Sequence, residues 1–303
     1  MDTLRTMTYE KQGRIARITL NRPARGNGIT LQMPGELASC VERANLDPEV
    51  RVIGLAGNGT GFCAGYDLVS SAEGGADDPD AVAGPPGSPL DMARQRANHD
   101  PSRPWDPMLD YAMMSRNVRG FMSLFFSDKP VVCKIHGYCV TGGTDIALCC
   151  DLIIIEQTAR IGYPPARAWG VPTTAFWVLR VGLERARRLL FTGDCLTGQQ
   201  AAEWGLAIEA PPTELLEQRF AATLARLALL PANQLMMMKL LINQAVMGAG
   251  LHAAQVLGTV FDGIARHTPE GYAFQKRAAE AGFKQAVHER DAPFGDARKP
   301  PGP

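Results

Sequence analysis

Two segments of this 303-residue chain place glycine just where a buried strand should end: 62–68 (FCAGYDL) and 136–145 (HGYCVTGGTD). The runs before them, RVIGLA at 51–56 and PVVCKI at 130–135, read as buried β-strands. A glycine-bearing turn after a strand lets the backbone approach a ligand and aim its N–H groups outward. Two such turns facing one another would offer a pair of N–H donors to one developing negative charge, the geometry of an oxyanion hole. The chemistry this suggests is enolate formation on a thioester.

The elements that must position these turns follow from periodicity. Residues 14–20 (RIARITL) alternate and carry β-branched side chains, so they predict a strand that ends at Asn21-Arg22-Pro23. Residues 31–44 space Leu37, Val41 and Ala44 as a helix does, and Asp47-Pro48 closes it. Residues 110–127 predict a helix, 131–135 a strand, 144–150 a helix and 151–156 a further buried strand. A helix starting at Gly142-Gly143 would add positive dipole character beside the proposed anion site. Helices are also expected over 183–191 and 197–204, the latter capped by Thr197. Alternating strands and helices imply an α/β architecture over residues 1–212, followed by a helical region over 213–303. Within the first region, 71–107 is dense in Gly, Pro, Asp and Ala and predicts a long surface loop, either a bland excursion or a lid beside the site.

Composition narrows the class. Lys+Arg and Asp+Glu both number 31, which gives no nucleic-acid or anionic-membrane footprint. No apolar run reaches membrane-spanning length and the N-terminus lacks a signal-like apolar core, so a soluble cytoplasmic protein is expected. The seven cysteines show no zinc-type spacing and lie mostly in apolar segments, where reduced, packed thiols are expected. No metal spacing joins His252, His267 or His288 to acids or cysteines. His136 is read as bonding a neighbouring backbone, and GNG at 57–59 as a turn.

Five segments in register resemble the enoyl-CoA hydratase/isomerase (crotonase) superfamily: the strand ending in Asn21-Arg22-Pro23, FCAGYDL, 129–152 (KPVVCKIHGYCVTGGTDIALCCDL), 189–207 (LLFTGDCLTGQQAAEWGLA), and the tail motifs EGYAF (270–274) and ERDAPF (289–294). The resemblance implies a spiral of ββα units with a helical C-terminal trimerisation region. It implies that the Tyr66 and Gly142 N–H groups hold the thioester carbonyl oxygen. Ala64 and Asp67 would lie in the loop contacting the adenine end of coenzyme A, and Arg25 would meet its phosphates. Coenzyme A enters as part of an acyl-CoA substrate, no permanently bound cofactor is implied, and a homotrimer or a dimer of trimers is the expected assembly.

The family's hydratases carry two glutamates. The first corresponds to Asp145, a carboxylate one methylene shorter. The second falls in 162–172 (GYPPARAWGVP) at Ala166, or at Pro165 if the alignment slips by one, and neither transfers a proton. Hydration of an enoyl-CoA, a lyase reaction of fatty-acid metabolism, is the leading expectation. The alternatives are an isomerase or a C–C or thioester-cleaving relative using Asp145 alone, and a degenerate CoA-binding protein. A second group could come from Tyr163, His99, Asp100, Asp106 or Asp110, while Arg167 could bind an acidic acyl group or form a surface salt bridge. Asp145 itself could instead be only a capping carboxylate. Trp169 and Trp177 are read as packing or as acyl-pocket walls.

Overall fold

Strands β1 (Met7–Gln12) and β2 (Ile15–Leu20) form an antiparallel hairpin, from which β3 (Val52–Gly57), β4 (Val131–Ile135) and β6 (Leu152–Ile155) continue in parallel, in the spatial order β1-β2-β3-β4-β6. The architecture is that of a computed structural model describing residues 4–67 and 84–295. Every residue of β3 is buried, as expected of a central parallel strand covered on both faces. A second, smaller sheet, β5 (Tyr138–Val140), β7 (Arg160–Gly162) and β8 (Cys195–Thr197), stands beside the first.

One face of the large sheet packs on α1 (Met33–Leu46), α3 (Pro107–Phe125) and the small sheet, around Ile18, Leu37, Leu55, Phe121 and Ile135. The other face packs on α8 (Thr213–Ala228) through Leu216, Phe220, Leu224 and Ala228 against Val52, Val132 and Ile154. Gly54 allows that approach, since a Cβ there would lie 2.9 Å from both Leu224 and Phe220. The C-terminal helices α9 (Ala232–Gly248), α10 (Leu251–Arg266), α11 (Pro269–Ala281) and α12 (Phe283–Asp291) follow. No single helix among the described residues is long and apolar enough to cross a membrane.

The expected strands and most helices are present. The short α4 (Gly142–Ala147) begins at its glycine pair as expected and ends at Ala147, short of the expected residue 150. Helices α5 (Trp177–Val181), α6 (Leu183–Thr192) and α7 (Gly198–Glu203) run up to the helical region, and α7 opens on a reciprocal Thr197–Gln200 capping box. The long-loop expectation for 71–107 is corrected in its second half. Met92–Asn98 is a helix, α2, with the Asp91 carboxylate accepting from the Ala93 and Arg94 N–H groups. The Gly/Pro-rich composition of 71–107 as a whole masked it: MARQRAN is itself mostly strong helix formers, and Asn98 bonds Asp106 in both directions. The first part of that segment, through residue 83, lies outside the described residues.

Lys239 ties α9 to the sheet and α3. Its buried ammonium donates to Leu124 O (2.9 Å), Lys129 O (3.1 Å) and Asp151 Oδ2 (2.8 Å). Substituting Lys239→Met should cost about 2–4 kcal/mol, because three acceptors lose one shared donor while Asp151 stays partly solvated. Urea unfolding followed by tryptophan fluorescence checks this, and a change below 0.5 kcal/mol (about the scatter of surface substitutions) would contradict it.

Candidate active site

Strands β3 and β4 are parallel neighbours, so the chain leaves both at the same edge of the sheet, where α/β proteins place their ligands. After that edge the two segments pair again. Cys63 bridges Cys139 in parallel, with Phe62 N–H donating to Tyr138 O (2.8 Å) and Val140 N–H to Cys63 O (3.1 Å). His136 holds the corner by bonding Gly59 O through Nε2 at 2.9 Å, the backbone role expected of it. Both predicted turns are therefore delivered side by side.

Their contact leaves no room for side chains. Gly65 has φ +98°, and a Cβ there would lie 1.3 Å from Thr141 Oγ1 and 3.3 Å from the Gly142 nitrogen. A Cβ on Gly143 would meet Cys63 O at 2.5 Å, and one on Gly142 would meet the Tyr66 ring at 2.8 Å. Thr141 adopts φ 57° without being glycine, a strain of about 1–3 kcal/mol for an L-residue. Its hydroxyl offsets part of that by donating to Ala64 O (3.0 Å). The backbone pairing of Tyr66 is made by its neighbours: Ile29 N–H donates to Gly65 O and Asp67 N–H to Ile29 O. Gly142 opens α4, so its N–H has no acceptor within the helix.

Asp145, in the first turn of α4, is buried. It does not cap its own helix. Its Oδ1 accepts from the Thr174 N–H (3.0 Å) and the Thr174 hydroxyl (2.7 Å), while Oδ2 is buried with no partner among the described residues. Burial pushes the carboxyl up to about 7, against the pull of the two Thr174 bonds and with a smaller push from Asp262. The Tyr66 hydroxyl and Thr173 Oγ1 are likewise buried without a partner that meets hydrogen-bond geometry among the described residues. Burial, then Asp145, then Asp262, hold the Tyr66 phenol well above its ordinary value, and the same three act in that order on Tyr163.

The three residues assigned to the coenzyme end also meet. Ala64 is exposed and its N–H donates to Gly26 O (3.0 Å), beside Arg25. The Asp67 carboxylate faces two guanidinium groups, Arg22 at 2.9 Å and Arg25 at 3.4 Å, so its side chain positions arginines.

Position 166 is an alanine in a 3-10 turn, Pro164–Arg167. The neighbouring Arg167 is turned to Thr192 O (2.9 Å), Asp291 (3.2 Å) and Asp194 (3.5 Å), with its side chain 1% exposed and the Phe294 ring 4.1 Å away. It forms a buried network joining the loop to α12, rather than a surface bridge. Three of the other candidates serve local structure. Asp100 accepts from Ser102, Asp106 caps α3, and Asp110 accepts from the Trp105 indole (2.7 Å). Burial, Arg266 and His267 push His99 down to about 4. Trp177 is core, and Trp169 packs near Phe274. All seven cysteines are free, and burial holds Cys63, Cys133, Cys139 and Cys149 well above the ordinary thiol value. No cluster among the described residues could hold a metal ion.

The periodic reading of 251–264 as an apolar helix passed over Asp262, the lone acid in that stretch. It is buried and accepts from the Val171 N–H at 3.3 Å. An isolated carboxylate on the buried face of an apolar helix, at helical spacing from Gln255 and Thr259, was the signal that could have found it.

Residues 10–95 and 108–278 match the sequence model of the family described as enoyl-CoA hydratase/isomerase. The chain belongs to the enoyl-CoA hydratase/isomerase (crotonase) family. It is 30% identical over 231 residues to 1,2-epoxyphenylacetyl-CoA isomerase of Escherichia coli K12, covering 75% of this chain and 78% of that one. It is 26% identical over 284 residues to 2,3-dehydroadipyl-CoA hydratase of the same organism, covering 90% and 97%. The solved structure of an enoyl-CoA hydratase from Mycobacterium smegmatis is 54% identical, with a TM-score of 0.91 over 98% of this chain and 97% of that one. The family fold, the crotonase fold, is thereby shown, and handling of acyl-CoA thioesters is the family's general activity.

Two outcomes are expected. Gly65→Ala should lower turnover by at least about 100-fold in steady-state kinetics, because the added methyl drives Thr141 and Gly142 away from Tyr66. Asp145→Asn should gain stability relative to the parent as pH rises. The carboxyl titrates near 7 when folded and near 4 when unfolded, so its ionisation weighs on the native state progressively between those values. Thermal melts at pH 5 and pH 8 should show the difference growing with pH by about 2–4 kcal/mol. A pH-independent difference would refute the elevated carboxyl.

Proposed function

We propose that this protein is an enoyl-CoA hydratase, adding water across the double bond of a trans-2-enoyl thioester through an enolate. The observation that carries the reading is Asp145: one oxygen pinned by Thr174, the other buried with no hydrogen-bond partner among the described residues, beside two interlocked glycine turns. The thioester oxygen would accept from the Tyr66 and Gly142 N–H groups. Preorganised donors of this kind each contribute about 3 kcal/mol as charge develops. The ionised Asp145 takes a proton from water as its oxygen bonds to C3, and the π electrons pass to the held oxygen. The coenzyme would lie along Arg25, Ala64 and Asp67, with Arg25 meeting its phosphates and Asp67 steadying the arginines.

Ala166 favours a second reading. With no carboxylate at that position, Asp145 could take a proton from one carbon and return it to another, which is isomerisation. The assembly we propose is a homotrimer. Its support is the exposed apolar side chains of α9 (Met237, Leu240, Leu241, Ile242) and α10 (Leu257, Phe261), surface that a monomer seldom leaves to water.

Loss of enoyl absorbance with crotonyl-CoA and with a longer trans-2-enoyl-CoA should be clear for the parent. It should fall at least about 1,000-fold in Asp145→Asn, with KM changed little. The rate should rise with pH through about 7 as Asp145 ionises. No hydration of either substrate, with double-bond migration present and lost in the same variant, would establish the isomerase reading. Acyl-CoA binding with neither reaction would leave a binding protein.

A further inference from the structure

We propose that Asp262 is the second proton-transfer carboxyl of this site, supplied by the C-terminal helix α10 instead of the 162–172 loop. The inference rests on the enolate chemistry proposed above.

The buried face of α10 runs along the strap formed by residues 171–174. Gln255 Nε2 donates to Thr174 O (3.1 Å), and a Cβ on Gly258 would lie 2.9 Å from Pro172 O. Asp262, one turn further, accepts from the Val171 N–H. The same strap holds Asp145 at its other end through Thr174. One four-residue strap thus carries two carboxyl groups, one at each terminal N–H. Three of the buried oxygens that lack a partner meeting hydrogen-bond geometry among the described residues, Asp145 Oδ2, Tyr66 Oη and Thr173 Oγ1, lie on α4, on the first glycine turn and on this strap. The charge of Asp262 raises Tyr66, Tyr163 and Asp145, so the four groups are electrostatic neighbours. Tyr163 lies near the residue before the strap, its hydroxyl 3.7 Å from the position a Cβ on Gly170 would take.

Charged and buried groups pull the Asp262 carboxyl in both directions. Burial and the neighbouring Asp110 push the Asp262 carboxyl up, while Arg266 and the Val171 N–H pull it back, and the net direction is upward. Arg266 Nε stands 3.4 Å from Asp262 Oδ2, its guanidinium is 3.7 Å from Asp110, and His267 lies 3.5 Å from Asp110 on the far side. In hydration, water loses a proton to Asp145 as its oxygen bonds to C3. The enolate pair then takes the proton of the Asp262 carboxyl at C2, leaving a carboxylate facing Arg266. Product release lets Asp145 lose its proton and Asp262 regain one from solvent, so the sum is one water added.

The test is exchange of the C2 proton of 3-hydroxybutyryl-CoA in D2O, read by NMR, alongside hydration of crotonyl-CoA and binding of acetoacetyl-CoA. Asp262→Asn should slow exchange at least about 100-fold and leave acetoacetyl-CoA affinity within about threefold. Asp262→Glu, which keeps the acid, should retain at least about a tenth of the exchange. Exchange within about threefold of the parent in Asp262→Asn overturns the proposal, as does equal loss in both variants with binding retained or a parent that exchanges no C2 proton. A parent that exchanges this proton but never hydrates crotonyl-CoA sinks the hydratase reading alone.

Discussion

Everything at this site depends on two backbone turns packing against each other with no side chain between them. The parallel bridge between Cys63 and Cys139 sets their separation, and the contact of Gly65 with Thr141 fixes their orientation. Neither turn could hold this arrangement alone. Thr141 stays in a strained conformation because the Ala64 carbonyl and the strand before it over-determine its position. Two parallel strands ending at one edge are the cheapest way to bring segments seventy-odd residues apart in sequence into such contact.

The C-terminal helices are part of this apparatus. Gln255 and Asp262 hold the strap on which Asp145 leans, and His267 Nε2 lies 3.2 Å from Asn98 O, tying α2 to the same helix. Arg167 ties the loop with Ala166 to α12 by a network in which nearly all of its surface is buried. Such pairs contribute little net stability once desolvation is counted, but breaking one side strands the other. Their effect is to fix the loop.

The strands and glycine turns were legible because local rules govern them: strand periodicity, and a backbone geometry that only glycine tolerates at Gly65. Helix α2 was not, because the Gly/Pro-rich stretch around it reads as one block, although Asp91 caps a short run of strong helix formers. Arg167 was ambiguous since Asp291, its principal acid, lies 124 residues away and no local pattern announces it. Asp262 was hidden by the apolar periodicity around it, which describes how a helix packs and is silent about one buried acid. Asp145 could be located, yet whether it capped its helix or reached across to Thr174 was a question of rotamer and loop course.

The two Thr174 bonds to Asp145 make the oxygens of one carboxyl inequivalent. A group tethered through Oδ1 cannot swing, and it presents only Oδ2 to whatever lies above it. A planar acyl chain held by its carbonyl against the glycine turns would meet that oxygen from one side. The handedness of any new stereocentre would then trace back to the hydroxyl of a threonine that never touches the reacting carbon.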